Sequence, residues 1–188
     1  MARVNILIAG VGGQGIITAG KIIAEAGNYS NVKVLVAETH GLAQRGGGVN
    51  VHVRIGDVNS PLVPLGKADY LVGLEANEVL RNLNYANKNT EIIVNAYVNK
   101  PVLPKVKPLP LEKVIEKLTG LKVHVINANQ IAINVGNPKA ANAAILGYLY
   151  SLGAFKEIKE EAFIKALKYE SNVKAFKMGM AMAKATLA

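Results

Sequence analysis

Short apolar runs recur along the chain at Val4–Ala9, Lys33–Ala37, Tyr70–Leu74, Glu91–Ala96 and Lys122–Asn127. Each predicts a short strand, the first of them buried, and helix-like segments lie between most of them. That alternation predicts an α/β fold: a doubly wound, mostly parallel Rossmann-like sheet with helices on both faces. One strand has a different pattern. Val49, Val51, Val53 and Ile55 share one face, and Asn50, His52 and Arg54 the other. With the Gly56-Asp57 turn and the short Pro61–Val63 piece, it predicts a small antiparallel addition, half exposed unless a partner covers it. Leu111, Val114, Ile115 and Leu118 form a helical face ended by Gly120. Asn137 and Pro138 predict an N-cap and first turn for a helix running to Leu152 and stopping at Gly153. Val173, Phe176, Met180, Ala183 and Leu187 fall on one stripe of a C-terminal helix, the pattern of core packing. Pro101 to Pro110 predicts an extended connector rather than a boundary, so residues 1–188 are expected to form a single domain.

Two glycine-rich segments interrupt this pattern. Gly10-Val11-Gly12-Gly13-Gln14-Gly15 follows the first strand and opens a helix-like run from Ile16 to Glu25. Glycines between strand and helix permit a tight turn, and unpaired N–H groups at the helix start attract anions. Glu38, at the end of the second strand, stands where a ribose-binding carboxylate is expected about 20 residues on. Two readings are open at this point: a nucleotide site, or a tight turn with close helix–sheet packing and no ligand. The second segment runs from Glu38 to Gly48 and gathers His40, Gln44 and Arg45 with Gly41, Gly46, Gly47 and Gly48. Anion-binding side chains on a backbone that permits close approach predict a site.

Composition narrows the chemistry. The chain has no cysteine, so iron–sulfur ligation, disulfides and Cys-based catalysis are excluded within it. Its three histidines are scattered and make no zinc pattern. A net charge of +9 raises the question of nucleic acid. The lysines are dispersed, however, and with no Trp and only three Phe there is little to stack bases. Solvated helix faces, or attraction to an acidic partner, fit better. No apolar run approaches the ~20 residues of a membrane span, and Arg3 precedes only a short apolar run that flows into the glycine loop. The expectation is a cytoplasmic protein that binds neither membrane nor nucleic acid.

The two glycine segments, with His52-Val53-Arg54-Ile55-Gly56, Ser60-Pro61-Leu62-Val63-Pro64 and Gly136-Asn137-Pro138-Lys139-Ala140, resemble the gamma-type subunits of 2-oxoacid:ferredoxin oxidoreductases. The similarity is greatest to the indolepyruvate type, whose beta subunit is of this kind. Pyruvate-type gamma subunits differ at Gln44-Arg45-Gly46, where they have an Arg-Arg-Gly pair. The resemblance implies an accessory subunit that carries no cofactor. Thiamine diphosphate and [4Fe-4S] clusters would sit on a larger catalytic partner in a heterodimer or heterotetramer, with CoA as co-substrate and ferredoxin served through the complex. It implies that the first glycine loop approaches a phosphate-bearing ligand or the partner, and is not a mark of NAD. A pyruvate- or branched-chain-type gamma subunit, a stand-alone NAD(P)- or FAD-binding oxidoreductase and a purely structural interaction module are the alternatives.

The candidate ligand- or partner-binding residues are Gly10, Gly12, Gly13, Gln14, Gly15, His40, Gln44, Arg45, Gly46, Gly47, His52 and Arg54. Arg45 suits a phosphate or carboxylate, or a salt bridge to the partner. His52 and Arg54 suit a polar interface. Glu75 and Glu78 follow the third apolar strand, either in the crevice or as first-turn helix acids. No nucleophile–base–orienter set can be assembled, and no catalytic residue is assigned.

Overall fold

The computed structural model describes residues 3–40, 47–99 and 107–187. Its centre is one six-stranded sheet of β1 (Val4–Val11), β2 (Val34–His40), β3 (Gly48–Ile55), β4 (Tyr70–Gly73), β5 (Glu91–Asn95) and β6 (Lys122–Ile126), in the order β2-β3-β1-β4-β5-β6. From β1 to β6 the neighbours run parallel, as the alternation of apolar strands with helices predicts. Strand β3 runs antiparallel to both β1 and β2, pairing Val4 to Val11 on one side and Val34 to His40 on the other.

This placement revises the expectation for β3. It is an interior strand rather than a half-exposed addition. Its valine face packs under α1 (Ile16–Tyr29), where Gly20 admits the sheet: a Cβ there would lie 2.7 Å from Val51 Cγ1. Its polar face is covered by the chain that follows it. The Val63 N–H donates to His52 Nδ1 at 3.2 Å, and the Tyr85 ring meets the imidazole edge-on at 5.5 Å. Arg54 donates to Asn5 Oδ1 and to the Ser60 carbonyl, tying the same segment down.

The helices divide between the faces. On one side lie α2 (Ala76–Arg81) and α3 (Leu111–Lys117), over a small core around Leu7, Leu71 and Ile92. The larger core lies on the other side, under α1, α4 (Ala128–Asn134), α5 (Ala141–Ser151), α6 (Glu160–Leu167) and α7 (Glu170–Leu187). Helix α5 is buried continuously from Asn142 to Leu149, the state expected of a helix apolar all round. It crosses α7 at backbone contact. A Cβ on Gly147 would fall on the Phe176 carbonyl, and one on Gly179 on that of Ala144. The α7 stripe buries Phe176 and Ala183, with Val173 and Met180 packed against the core. Most of Pro101 to Pro110 lies outside the described residues.

Candidate functional site: a polar cleft beside the glycine loop

The first glycine loop ends β1 and opens α1. Gly13 and Gly15 hold φ of +99° and +78°, a region that costs a residue with a Cβ and costs glycine little. Gln14 fixes the loop internally. Its Oε1 accepts from the Val11 N–H at 2.9 Å, and its Nε2 donates to the Leu74 carbonyl at 3.2 Å, beyond the end of β4. Gly10 makes room for this, since a Cβ there would come within 2.6 Å of Gln14 Oε1. Among the described residues, the N–H groups of Gly13, Gly15, Ile16, Ile17 and Thr18 find no acceptor. These donors at a helix start suit a phosphate or carboxylate.

Beside the loop, at the carboxyl ends of β1, β4 and β5, opens a cleft of about 550 Å³. Gly13, Gln14, Gly15 and Thr18 form one wall. Leu74, Asn95, Tyr97 and Asn129 form the floor, and Asn137 to Lys139, Ala141, Asn142, Tyr169 and Asn172 the far wall. Among the described residues of this lining, Lys139 is the only charged group and no carboxylate contributes. The amides are braced rather than loose. Asn95 donates to the Leu74 carbonyl and to Asn129 Oδ1 while accepting from the Ala128 N–H. Asn142 donates to the Gly15 carbonyl at 3.1 Å, pinning the helix start to the far wall. A cleft that is neutral to positive, rich in fixed amides and bordered by two tyrosines suits a polar ligand carrying phosphate and a planar ring. Among the described residues, none is positioned there as nucleophile or general base.

The candidate residues distribute unevenly around this cleft. Gly13, Gln14 and Gly15 line it, and Gly10 and Gly12 belong to the same loop. On the loop's other side a hollow of about 290 Å³ is lined by Val11, Gly12, Ile16, Ile17 and Val49 among others. The Gly12 N–H donates to the Gly47 carbonyl at 3.1 Å, so the two glycine segments touch. His40 is exposed at the end of edge strand β2, in the row His40–Val49–Gly10 across the sheet. Gln44, Arg45 and Gly46 lie outside the described residues. His52 is 2 % exposed and Arg54 is spent on internal hydrogen bonds, so neither faces the cleft.

The two acids are scaffold near the second glycine segment. Glu75 caps α2, accepting from the Glu78 N–H at 3.0 Å, and also accepts from the Asn99 N–H. Burial pushes the Glu78 carboxyl up, against the pull of Arg81 at 2.8 Å. Gly48 admits that carboxylate, since a Cβ there would lie 2.9 Å from Glu78 Oε2. Asn95, Asn129, Asn137, Lys139, Asn142, Tyr169 and Asn172 were not singled out as site residues from the sequence. They come from separate segments, and only Asn137 and Lys139 carried a signal, Asn137 as a cap and both within the family-like Gly136–Ala140 segment. No group of three or more His, Cys, Asp or Glu side chains that would hold a metal occurs among the described residues.

The family model described as pyruvate ferredoxin/flavodoxin oxidoreductase matches residues 5–185. The chain belongs to this family. Among its relatives is the indolepyruvate oxidoreductase subunit IorB of Archaeoglobus fulgidus, 43% identical over 190 residues that cover 94% of each chain. The protein of the same name from Thermococcus kodakarensis is 34% identical, covering 100% of this chain and 99% of its own. Of solved structures in the family, the gamma subunit of a keto/oxoacid ferredoxin oxidoreductase from Geobacter sulfurreducens superposes with a TM-score of 0.71 at 25% identity, covering 97% of this chain and 99% of that one. A 2-oxoglutarate:ferredoxin oxidoreductase from Magnetococcus marinus, solved with 2-oxoglutarate, coenzyme A and succinyl-CoA bound, shares the fold at 23% identity and a TM-score of 0.75; 98% of this chain corresponds to 32% of that one. The mixed α/β fold is thus shared with a gamma subunit of a keto-acid ferredoxin oxidoreductase. No helix among the described residues is long and apolar enough to cross a membrane.

Proposed function

We propose that this chain is the accessory subunit of a heteromeric 2-oxoacid:ferredoxin oxidoreductase of the indolepyruvate type. The observation that carries the reading is end-to-end similarity, at 43% identity, to a subunit named for that enzyme. In the proposed reaction an aryl 2-oxoacid and CoA give the aryl acyl-CoA and carbon dioxide, and the two electrons released reduce ferredoxin. Thiamine diphosphate, which stabilises the carbanion when bound, and the [4Fe-4S] clusters belong to a larger partner. The donor set here supports that division, since a chain without cysteine offers no thiolate to a cluster.

This chain's part is to bind and orient. The cleft takes CoA, with the amides of Gly13 and Gly15–Thr18 and the Lys139 ammonium available to its phosphates. In this reading Arg45 of the second glycine segment pairs with an anionic group of the ligand or with an acidic side chain of the partner. Strand order argues against a dinucleotide enzyme. Glu38 pairs with Val51, which pairs with Ile8, so β3 keeps that carboxylate two strand spacings, about 10 Å, from β1. A ribose-binding acid requires β2 directly beside β1.

Co-expression with a candidate large subunit tests the assignment. The expected product is one complex in which iron and thiamine diphosphate travel with the larger chain. Recovery of this chain as a separate, cofactor-bearing oxidoreductase would refute it.

A further inference from the structure

Tyr169 stands at the mouth of the cleft in an unusual way. It is 70 % exposed, the most exposed of the large apolar or aromatic side chains among the described residues. The chain reaches it through Lys168, whose φ of +63° and ψ of −43° close a three-residue turn, with the Tyr169 N–H donating to the Leu167 carbonyl at 2.7 Å. This positive-φ turn is rare and strained for a residue with a Cβ. Neighbours hold it in place. Lys168 Nζ reaches Glu25 Oε1 of α1 at 3.0 Å, Asn172 Nδ2 donates to the Leu167 carbonyl, and Asn137 Nδ2 donates to Asn172 Oδ1. Leu167 is buried on one side of the turn, so the backbone reversal throws the next residue outward. The Tyr169 carbonyl accepts the Asn172 and Val173 N–H groups at the start of α7, which fixes its backbone from the other side.

A strained turn locked by side chains from α1 and from the Asn137 segment, presenting an exposed ring to a polar cleft, is a device for holding that ring in position. We infer that Tyr169 is the platform on which the planar base of a nucleotide bound in the cleft stacks, the nucleotide being the adenosine bisphosphate end of CoA. This rests on the CoA reading above and adds the residue that grips the base. The Lys139 ammonium lies in the same wall, where a phosphate next to that base would meet it. Loss of a base–aromatic stack weakens binding by a factor of roughly ten.

The test uses the assembled enzyme with Tyr169→Ala and Tyr169→Phe. Expected for the alanine variant are an unchanged melting temperature and a CoA KM and calorimetric Kd both raised about tenfold. Its kcat at saturating CoA and its KM for the 2-oxoacid are expected to stay as in wild type. Phenylalanine keeps the wild-type values. Adenosine 3′,5′-bisphosphate competes with CoA in wild type and loses affinity in the alanine variant, while pantetheine, which lacks base and phosphates, is insensitive to the change. A Tyr169→Ala enzyme with wild-type affinity for both CoA and adenosine 3′,5′-bisphosphate overturns the platform and leaves the CoA reading standing. Nucleotide binding that depends on Tyr169 without any effect on CoA assigns the platform to a free nucleotide and overturns the CoA part. An assembled wild-type enzyme that neither binds nor requires CoA overturns both.

Discussion

His52 sits inside the sheet with Nδ1 accepting from the Val63 N–H and Nε2 against Thr39 Oγ1, so the ring is held neutral with its proton on Nε2. Burial lowers its pKa from the ordinary 6.5. Below 6.5 the unfolded chain therefore binds a proton that the folded chain refuses, and this residue's contribution to stability is lost as the pH falls from 6.5 toward the lowered value. Melting at about pH 7.5 and about pH 5.5 should show a loss of stability on acidification that is smaller in His52→Gln. An equal loss in both proteins would remove His52 from the account. Gln14 behaves differently, because its amide bridges Val11 and Leu74 rather than waiting for a ligand. Gln14→Ala is expected to cost about 1–2 kcal/mol of stability, the order for lost hydrogen bonds to part-buried backbone. A melting temperature equal to wild type would show that the loop does not rely on it. The sequence placed both residues on the right segments. It could not reveal that their polar atoms are satisfied internally, because the partners lie 11 and 60 residues away.

At the scale of elements, the runs that became β1, β4 and β5 and the stripe of α7 were legible because each buries a continuous or periodic apolar surface, whereas β6, an edge strand, buries only Ile126. The position of β3 was not legible. Alternation reports that one face of a strand is polar, and says nothing of a later segment folding over that face, as Pro61–Val63 and Tyr85 do here. The insertion of β3 also undoes the dinucleotide reading of the glycine loop, by moving Glu38 to the far edge strand. Calorimetry with NADH, NADPH or FAD at sub-millimolar concentration should show no saturable binding. Micromolar NADH binding lost in Gly12→Val would restore that reading. The crossing of α5 and α7 is the element contact with least slack. Gly147→Ala places a methyl on the Phe176 carbonyl with no side chain to yield, so about 3 kcal/mol or more of destabilisation is expected in denaturant unfolding. A loss below about 1 kcal/mol would mean that the helices slide apart easily.

For the whole molecule, the arrangement is that of a part rather than a complete catalyst. The cleft beside the glycine loop has fixed amides, helix-start N–H groups and a lysine, its described lining has no nucleophile–base pair, and the chain has no thiolate. The second glycine segment touches the first through Gly12 and Gly47 and leads from the end of an edge strand. Family membership was legible in the sequence because the glycine segments are contiguous motifs. The cleft's far wall was not legible as one surface, because the fold assembles it from two distant stretches, at the starts of α5 and α7. The most direct measurement mixes separately prepared chains and follows 2-oxoacid-dependent ferredoxin reduction with iron determined on each. The account predicts that this chain alone is colourless, iron-free and inactive. It also predicts that the catalytic chain gains full CoA-dependent turnover as this chain is added to stoichiometry. Ferredoxin reduction by this chain alone, or full CoA-dependent turnover by the catalytic chain without it, would contradict the account.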